Sequence, residues 1–142
     1  MACIFCEIIT KQAPASIVYE DADILGFMDI QPIHNAQCML IPKEHIDHFT
    51  DIPEELAGRM MQIAQRIGKN ILREFKPQRI GYVVHGYGVA HAHLVIVPQH
   101  HEEDITSQHL AVIKDGKISF IAENLPVASR EELDDSAAKI YV

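Results

Sequence analysis

The chain has 142 residues, with 20 acidic side chains against 12 lysines and arginines, and a formal net charge of −8. This length suits one hydrophobic core, so we expect residues 1–142 to form a single domain. A negative surface repels phosphate polymers, which argues against DNA or RNA as a partner but not against one nucleotide in a local pocket. No apolar run approaches the roughly 18 residues of a membrane span. The first residues lack the features of a signal peptide, so we expect a cytoplasmic protein.

The chain begins with two cysteines, Cys3 and Cys6, in a segment that we predict to be a short helix over residues 3–9. Three-residue spacing on a helix places both thiols on one face. The pair fits half of a zinc site, a redox pair or a coincidence, although the βαβ pattern that usually surrounds a redox pair is missing. A tetrahedral zinc site would need two further ligands, for which neutral imidazoles are suitable.

Three strands are predicted next, over residues 17–20, 24–29 and 38–42. The third is uniformly apolar, which predicts a central position in a sheet. Asp29 ends the second strand, where a carboxylate either caps a loop or accepts hydrogen bonds from a ligand.

A long helix is predicted over residues 53–75, with Asp51 as N-cap and Glu54 completing a capping box. Its apolar stripe should be core and should lie over Ala92, Leu94 and Ile96. The stripe consists of Leu56, Met60, Ile63, Ile67, Ile71 and Phe75. Lys76 before a proline should end the helix, and a fourth strand should follow over residues 80–84.

A strand over residues 91–98 contains His91 and His93 among apolar residues and is closed by Pro98. With a period of two, both imidazoles and Val95 share one face. They are either core histidines bonded to backbone carbonyls, or groups that bind a metal or perform catalysis. After them we predict a solvated polar loop over residues 99–109 and a hairpin of residues 110–113 and 118–121 that turns at Asp115-Gly116. A helix should follow from Ser129 to about residue 139, with Glu132 in a capping box.

Histidines that alternate with apolar residues on one strand resemble the signature of the histidine triad (HIT) family. The first two positions match as His91 and His93, whereas Val95 stands where the third histidine is expected. The resemblance covers roughly residues 3–98, and the hairpin and helix of residues 99–142 depart from the family. It implies an α+β fold, with about five mainly antiparallel strands, one long helix packed on the sheet and short terminal helices. It also implies a homodimer.

The opening is similar to that of bacterial HIT proteins with structural zinc. In those proteins two histidines complete the site, and the corresponding residues here are His45 and His91. The resemblance therefore implies that zinc is bound by Cys3, Cys6, His45 and His91.

The resemblance further implies that His93 attacks the α-phosphorus of a purine nucleotide conjugate or dinucleoside polyphosphate, forming a nucleotidyl-histidine. Asp29 would bind the ribose hydroxyls, and Phe5, Phe27 and His85 would contact the nucleotide. The family's Gly-His pair before the third strand is Ala36-Gln37 here.

The phosphate loop also departs from the family pattern. His85, Tyr87 and Gly88 replace the family's Asn, Gln and Ser, and either His85 or His34 could compensate for the missing imidazole. Two functions therefore remain open. The chain is either a HIT-type nucleotide hydrolase or phosphoramidase with reduced activity, or a non-catalytic, zinc-stabilised nucleotide-binding or interaction protein. A zinc hydrolase is disfavoured, because four protein ligands leave no open position for water.

Overall fold

The computed structural model describes residues 2–105, 111–120 and 125–142. The main sheet has the strand order β1-β2-β3-β5-β4, and all neighbouring strands are antiparallel. Its strands are β1 (Ile17–Glu20), β2 (Ile24–Met28), β3 (Cys38–Pro42), β4 (Arg79–Val83) and β5 (Leu94–Gln99). The helices are α1 (Ile4–Ile9), α2 (Glu54–Phe75) and α3 (Arg130–Ile140), and β6 (Ala111–Lys114) forms a separate hairpin with β7 (Lys117–Phe120). The predicted α+β architecture is confirmed, with the uniformly apolar β3 at its centre.

One face of the sheet is covered by α2 and α3. The apolar stripe of α2 packs with Ala92, Leu94 and Ile96 in the larger of two core clusters, as predicted. Burying each large aliphatic side chain contributes about 1.5–3 kcal/mol, so this face, which has the larger cluster, contributes more to stability than the other face. No helix among the described residues is long and apolar enough to cross a membrane.

The start of α2 differs from the prediction. The helix begins at Glu54 after Pro53, and no side chain caps it. Asp51 instead ends a 3₁₀ turn over Phe49–Asp51, where its N–H donates to the carbonyl of His48 at 2.9 Å. Extended backbone at Ile52 and Pro53 separates the turn from the helix, so Asp51 cannot reach the first helical N–H groups. The predicted end is correct, since Lys76 follows the helix in the left-handed conformation, with φ of 53°.

The motif strand is shorter than predicted. It begins at Leu94, so His91 and His93 lie in the segment just before β5. The β3–β5 register would place Pro42 opposite Ala92, and proline has no N–H to donate to a ladder. The N–H of Ala92 donates instead to the carbonyl of Ile46 at 2.7 Å.

The other face of the sheet is covered by α1. The core cluster on this face contains five buried residues, which are Phe5, Leu25, Phe27, Met39 and Ile41. Val95 packs at the margin of this cluster. The predicted C-terminal elements are also present. Asp115 and Gly116 turn the hairpin with φ of 52° and 75°, and Ser129 and Glu132 form the capping box of α3. Residues 106–110 and 121–124 lie outside the described residues. They include part of the predicted polar loop and the predicted hairpin residues Leu110 and Ile121.

Candidate metal and active site

Four side chains form a group that can hold a metal ion. The ligand atoms of Cys3, Cys6, His45 and His91 all lie within 4.8 Å of one another. Cys6 Sγ is 3.2 Å from Nδ1 of His45 and 3.7 Å from Nδ1 of His91, and Cys3 Sγ is 3.6 Å from the same His91 atom. Tetrahedral zinc with bond lengths of about 2.3 Å to sulfur and 2.0–2.1 Å to nitrogen would separate these atoms by about 3.6 Å. The donor set and its spacing therefore fit zinc.

A backbone hydrogen bond orients the His91 ring so that one of its nitrogens can bind a metal. His91 is fully buried, and its Nε2 donates to the carbonyl of Pro42 at 2.8 Å. This bond leaves Nδ1 unprotonated and directed at the cysteines, as is usual for a metal-binding histidine. Burial lowers the pKa of His91, as do the neighbouring His45 and His93, and these effects outweigh the Pro42 carbonyl. The ring is therefore kept neutral, which ligation requires.

The surroundings of the cysteines favour a neutral thiol at Cys6. Burial raises the pKa of Cys6, as do its side-chain interaction with the Cys3 thiol and the charge of Cys3. A bound divalent cation would reverse this effect, because a coordinating thiol is held as thiolate.

His93 is held with one ring nitrogen free. Its Nδ1 donates to the carbonyl of His91 at 2.8 Å, which fixes the tautomer and leaves Nε2 with a lone pair. The ring packs edge to face on Phe5, with centroids 5.5 Å apart. His93 lines a pocket of about 200 Å³, together with residues of the loop before it and of the 3₁₀ turn. A nucleophilic imidazole needs this combination of one fixed and one free nitrogen.

His85 lines the same pocket as His93. His85 lies after β4, on the loop that leads to His91 and His93. Its Nδ1 accepts a hydrogen bond from the N–H of Tyr87 at 3.4 Å. The side chain of Val95, in contrast, has no polar atom. It pairs with Met39 on one side and Val83 on the other, at the margin of the smaller core cluster.

Comparison with known proteins identifies the family to which the chain belongs. The model of the HIT domain matches residues 10–102. The chain belongs to the HIT family. The protein Hit of Bacillus subtilis is 33% identical over 107 residues, which are 72% of this chain and 74% of that protein. An adenosine 5'-monophosphoramidase of Saccharomyces cerevisiae is 34% identical over 109 residues, covering 72% of this chain and 65% of that enzyme.

Solved structures of HIT proteins agree with the fold. A zinc-bound histidine triad family protein from Mycobacterium smegmatis superposes with a TM-score of 0.73 at 28% identity, covering 98% of this chain and 95% of that one. A HIT family member from B. subtilis superposes with a TM-score of 0.69 at 29% identity, covering 99% and 95%.

The remaining predicted nucleotide contacts of this HIT chain lie along the α1 face. Phe5 and Phe27 pack edge to face, with centroids 5.3 Å apart, and are buried. Asp29 is half-buried just after β2, where its Oδ1 accepts from the Gln31 N–H at 2.9 Å and its Oδ2 from the Gln37 side chain at 2.8 Å. Each carboxylate oxygen has two lone pairs, so Asp29 can still accept two further bonds.

A second polar cluster, which the sequence patterns do not predict, lies at the opposite end of β5. The buried Asp104 accepts from the backbone N–H groups of His100 and His101, both at 2.7 Å, and from Nε2 of His34 at 3.0 Å. Burial opposes ionisation of Asp104, but these donors outweigh it, so the pKa of Asp104 lies below its ordinary value. His34 is thus engaged away from the pocket, and of the two histidines considered as substitutes only His85 lines it.

Proposed function

We propose that this HIT protein is a nucleotide hydrolase that acts at the α-phosphate of purine nucleotide conjugates. Phosphoramidates and dinucleoside polyphosphates are the substrates we expect. One observation carries the proposal: the Nδ1 bond from His93 to the His91 carbonyl leaves Nε2 free beside a pocket. The similarity to a yeast adenosine 5'-monophosphoramidase supports the same reaction class.

The reaction would proceed in two steps. Nε2 of His93 attacks the α-phosphorus and displaces the amine, alcohol or phosphate, and water then cleaves the nucleotidyl-histidine. The ring becomes positively charged when its nitrogen bonds to phosphorus. The carbonyl of His91, already 2.8 Å from Nδ1, accepts a stronger hydrogen bond from the charged ring. This contact favours the intermediate over the free enzyme.

The nucleotide would lie along the α1 face, between His93 and the end of β2. Asp29 would accept hydrogen bonds from the two ribose hydroxyls with the lone pairs that Gln31 and Gln37 leave free. Phe5 and Phe27 would provide an apolar floor for the base, and His85 would contact the phosphate.

Zinc would be held by Cys3, Cys6, His45 and His91. Four protein ligands make the site structural, because no position remains open for a substrate or water. The metal would fix α1 against the segment that carries His91. His91 in turn supplies the carbonyl that orients His93, so the zinc site would support catalysis without taking part in it.

A non-catalytic nucleotide-binding protein is the second candidate, and a specific observation favours it. Val95 is packed between Met39 and Val83 and offers no hydrogen bond to a substrate. Loss of acid or charge support typically lowers a rate by about 10²–10⁴, which is enough to leave binding without useful turnover.

Trapping the intermediate tests the proposal. The protein is mixed with adenosine 5'-phosphoramidate, quenched in alkaline denaturant and analysed by intact mass and peptide mapping. We expect an adenylyl adduct on His93 that His93→Ala abolishes, and slow release of AMP. His101→Ala removes an exposed histidine from the far end of β5 and serves as the control. Adenosine nucleotide binding without any adduct would support the second candidate, and an adduct that persists in His93→Ala would place the chemistry elsewhere.

A further inference from the structure

His85 follows β4, and the proposed nucleophile His93 precedes the neighbouring strand β5. β4 and β5 are antiparallel, and their register ends with Val83 opposite Val95. Continued past the ladder, from Val83 on to His85 and from Val95 back to His93, the same register sets the two histidines opposite each other. Residues two apart on an extended segment point to the same face, and both histidines line one pocket. We propose that His85 supplies the hydrogen-bond donor that Val95 lacks, and that it acts on the reacting phosphoryl group. This inference rests on the proposed function.

The hydrogen bond at Nδ1 defines what His85 can offer. Because Nδ1 accepts from the N–H of Tyr87 at 3.4 Å, the proton of the neutral ring is on Nε2. That N–H is the end of the ring available to a ligand. Gly88 in the same loop has φ of 94°, a left-handed conformation that glycine adopts readily. This turn returns the chain toward His91 and keeps the loop short.

Another histidine near the pocket is less suited to this role. His48 lines the pocket from the 3₁₀ turn, but its side chain is 74% exposed and its Nε2 lies 4.0 Å from a carboxylate oxygen of Asp47. Asp47, which lines the same pocket, lies beside the His48 ring, and its negative charge would repel a phosphate bound next to that ring. His85 has no such neighbour among the described ion pairs.

The role is to stabilise charge without transferring a proton. The Nε2 lone pair of His93 forms the bond to phosphorus, and the bond from phosphorus to the leaving nitrogen breaks with its electron pair. The leaving nitrogen takes its proton from water. His85 keeps its proton and donates a hydrogen bond to the phosphoryl oxygens, whose charge rises in the transition state. Such a donor contributes little to binding and much to the rate.

The experiment compares His85→Ala with His85→Asn, because the amide of asparagine keeps a donor. Rapid quench with adenosine 5'-phosphoramidate gives the rate of adduct formation on His93, and steady-state kinetics gives kcat and KM. Removing one such donor typically lowers kcat by about 10²–10³, and we expect this loss in His85→Ala with little change in KM. His85→Asn should recover most of the rate. His101→Ala should match the wild type.

A second variant separates this role from a structural one. Val95→His introduced into His85→Ala should restore part of the lost rate, because it returns an imidazole to the same face. The inference is wrong if His85→Ala forms the adduct as fast as the wild type, or if only KM rises. In either case the proposed function stands as long as the wild-type adduct depends on His93. A wild type that forms no adduct at all overturns both.

Discussion

Loss of His45 offers the cleanest test of the zinc site. His45 is exposed, and its ring contacts His91, another proposed ligand, with centroids 4.9 Å apart, so alanine there removes a ligand with little loss of core packing. Three ligands would remain, and the metal should be held more weakly. His48→Ala is the matched control, since His48 lies three residues on and is 74% exposed.

The expected loss of stability follows from α1. Its six residues are too few for a helix that is stable alone, which takes about 12–15. Phe5 is the buried side chain of α1, and it covers Phe27. If the metal no longer fixes α1, exposure of one aromatic side chain costs about 1.5–3 kcal/mol. Zinc present at a hundred times its dissociation constant would contribute a similar amount, about 2.7 kcal/mol. Roughly 4 °C per kcal/mol then predicts a fall of about 10 °C in Tm.

The assay combines elemental analysis with thermal unfolding, with and without a chelator. Wild type and His48→Ala should carry one zinc per chain and lose stability when the chelator is added. His45→Ala should start with the lower Tm and respond less. A wild type purified without chelator that contains well under one zinc per chain would refute the argument. A wild-type Tm that the chelator does not change would refute the stability estimate alone.

Three further outcomes are expected. Val95→His in the wild-type background should raise phosphoramidate turnover by much less than 10²-fold, the gain expected where acid support is missing altogether, because His85 is present. The same substitution should lower the free energy of unfolding by about 1–3 kcal/mol, because Val95 is packed. Because β4 is an edge strand that carries the exposed Tyr82, sedimentation at micromolar concentration should show a dimer. A monomer would refute this prediction. The pKa of Asp104 is depressed, so the stability it provides is present above its ordinary value of 3.8 and is lost as pH falls through the folded pKa. Asp104→Asn should therefore flatten the acid limb of the stability–pH curve, and an unchanged limb would contradict the role of the pair with His34.

Local patterns predicted those elements whose cause is local. The uniform hydrophobicity of β3, the stripe of α2 and the Ser129–Glu132 capping box each depend on residues a few positions apart. Asp51 failed as an N-cap for a reason that the pattern does not contain. The extended conformation of Pro53 separates the 3₁₀ turn from the helix, although the capping-box spacing is present.

The partners of the site residues are a different matter. The bond between His34 and the buried Asp104 joins a loop after β2 to a loop after β5. Nothing in either segment alone indicates that they meet. His91 likewise lies before β5 because Pro42 cannot donate to the ladder, a cause located on another strand. Such contacts depend on which strands pair and in what register.

The interpretation of His85 changes for the same reason. Compared with the family pattern, it occupies the place of an asparagine, and the sequence alone does not separate it from His34 as the residue that could compensate for Val95. The β4–β5 ladder ends at Val83 and Val95, and its register continued by two residues sets His85 against His93, which lines the same pocket. A side chain opposite the nucleophile can stabilise a charge that the missing histidine would have stabilised from two residues along the strand. The two substitutions are therefore coupled. Changing Val95 and His85 together should give a rate that differs from the product of the two single effects, as expected for residues that serve one transition state.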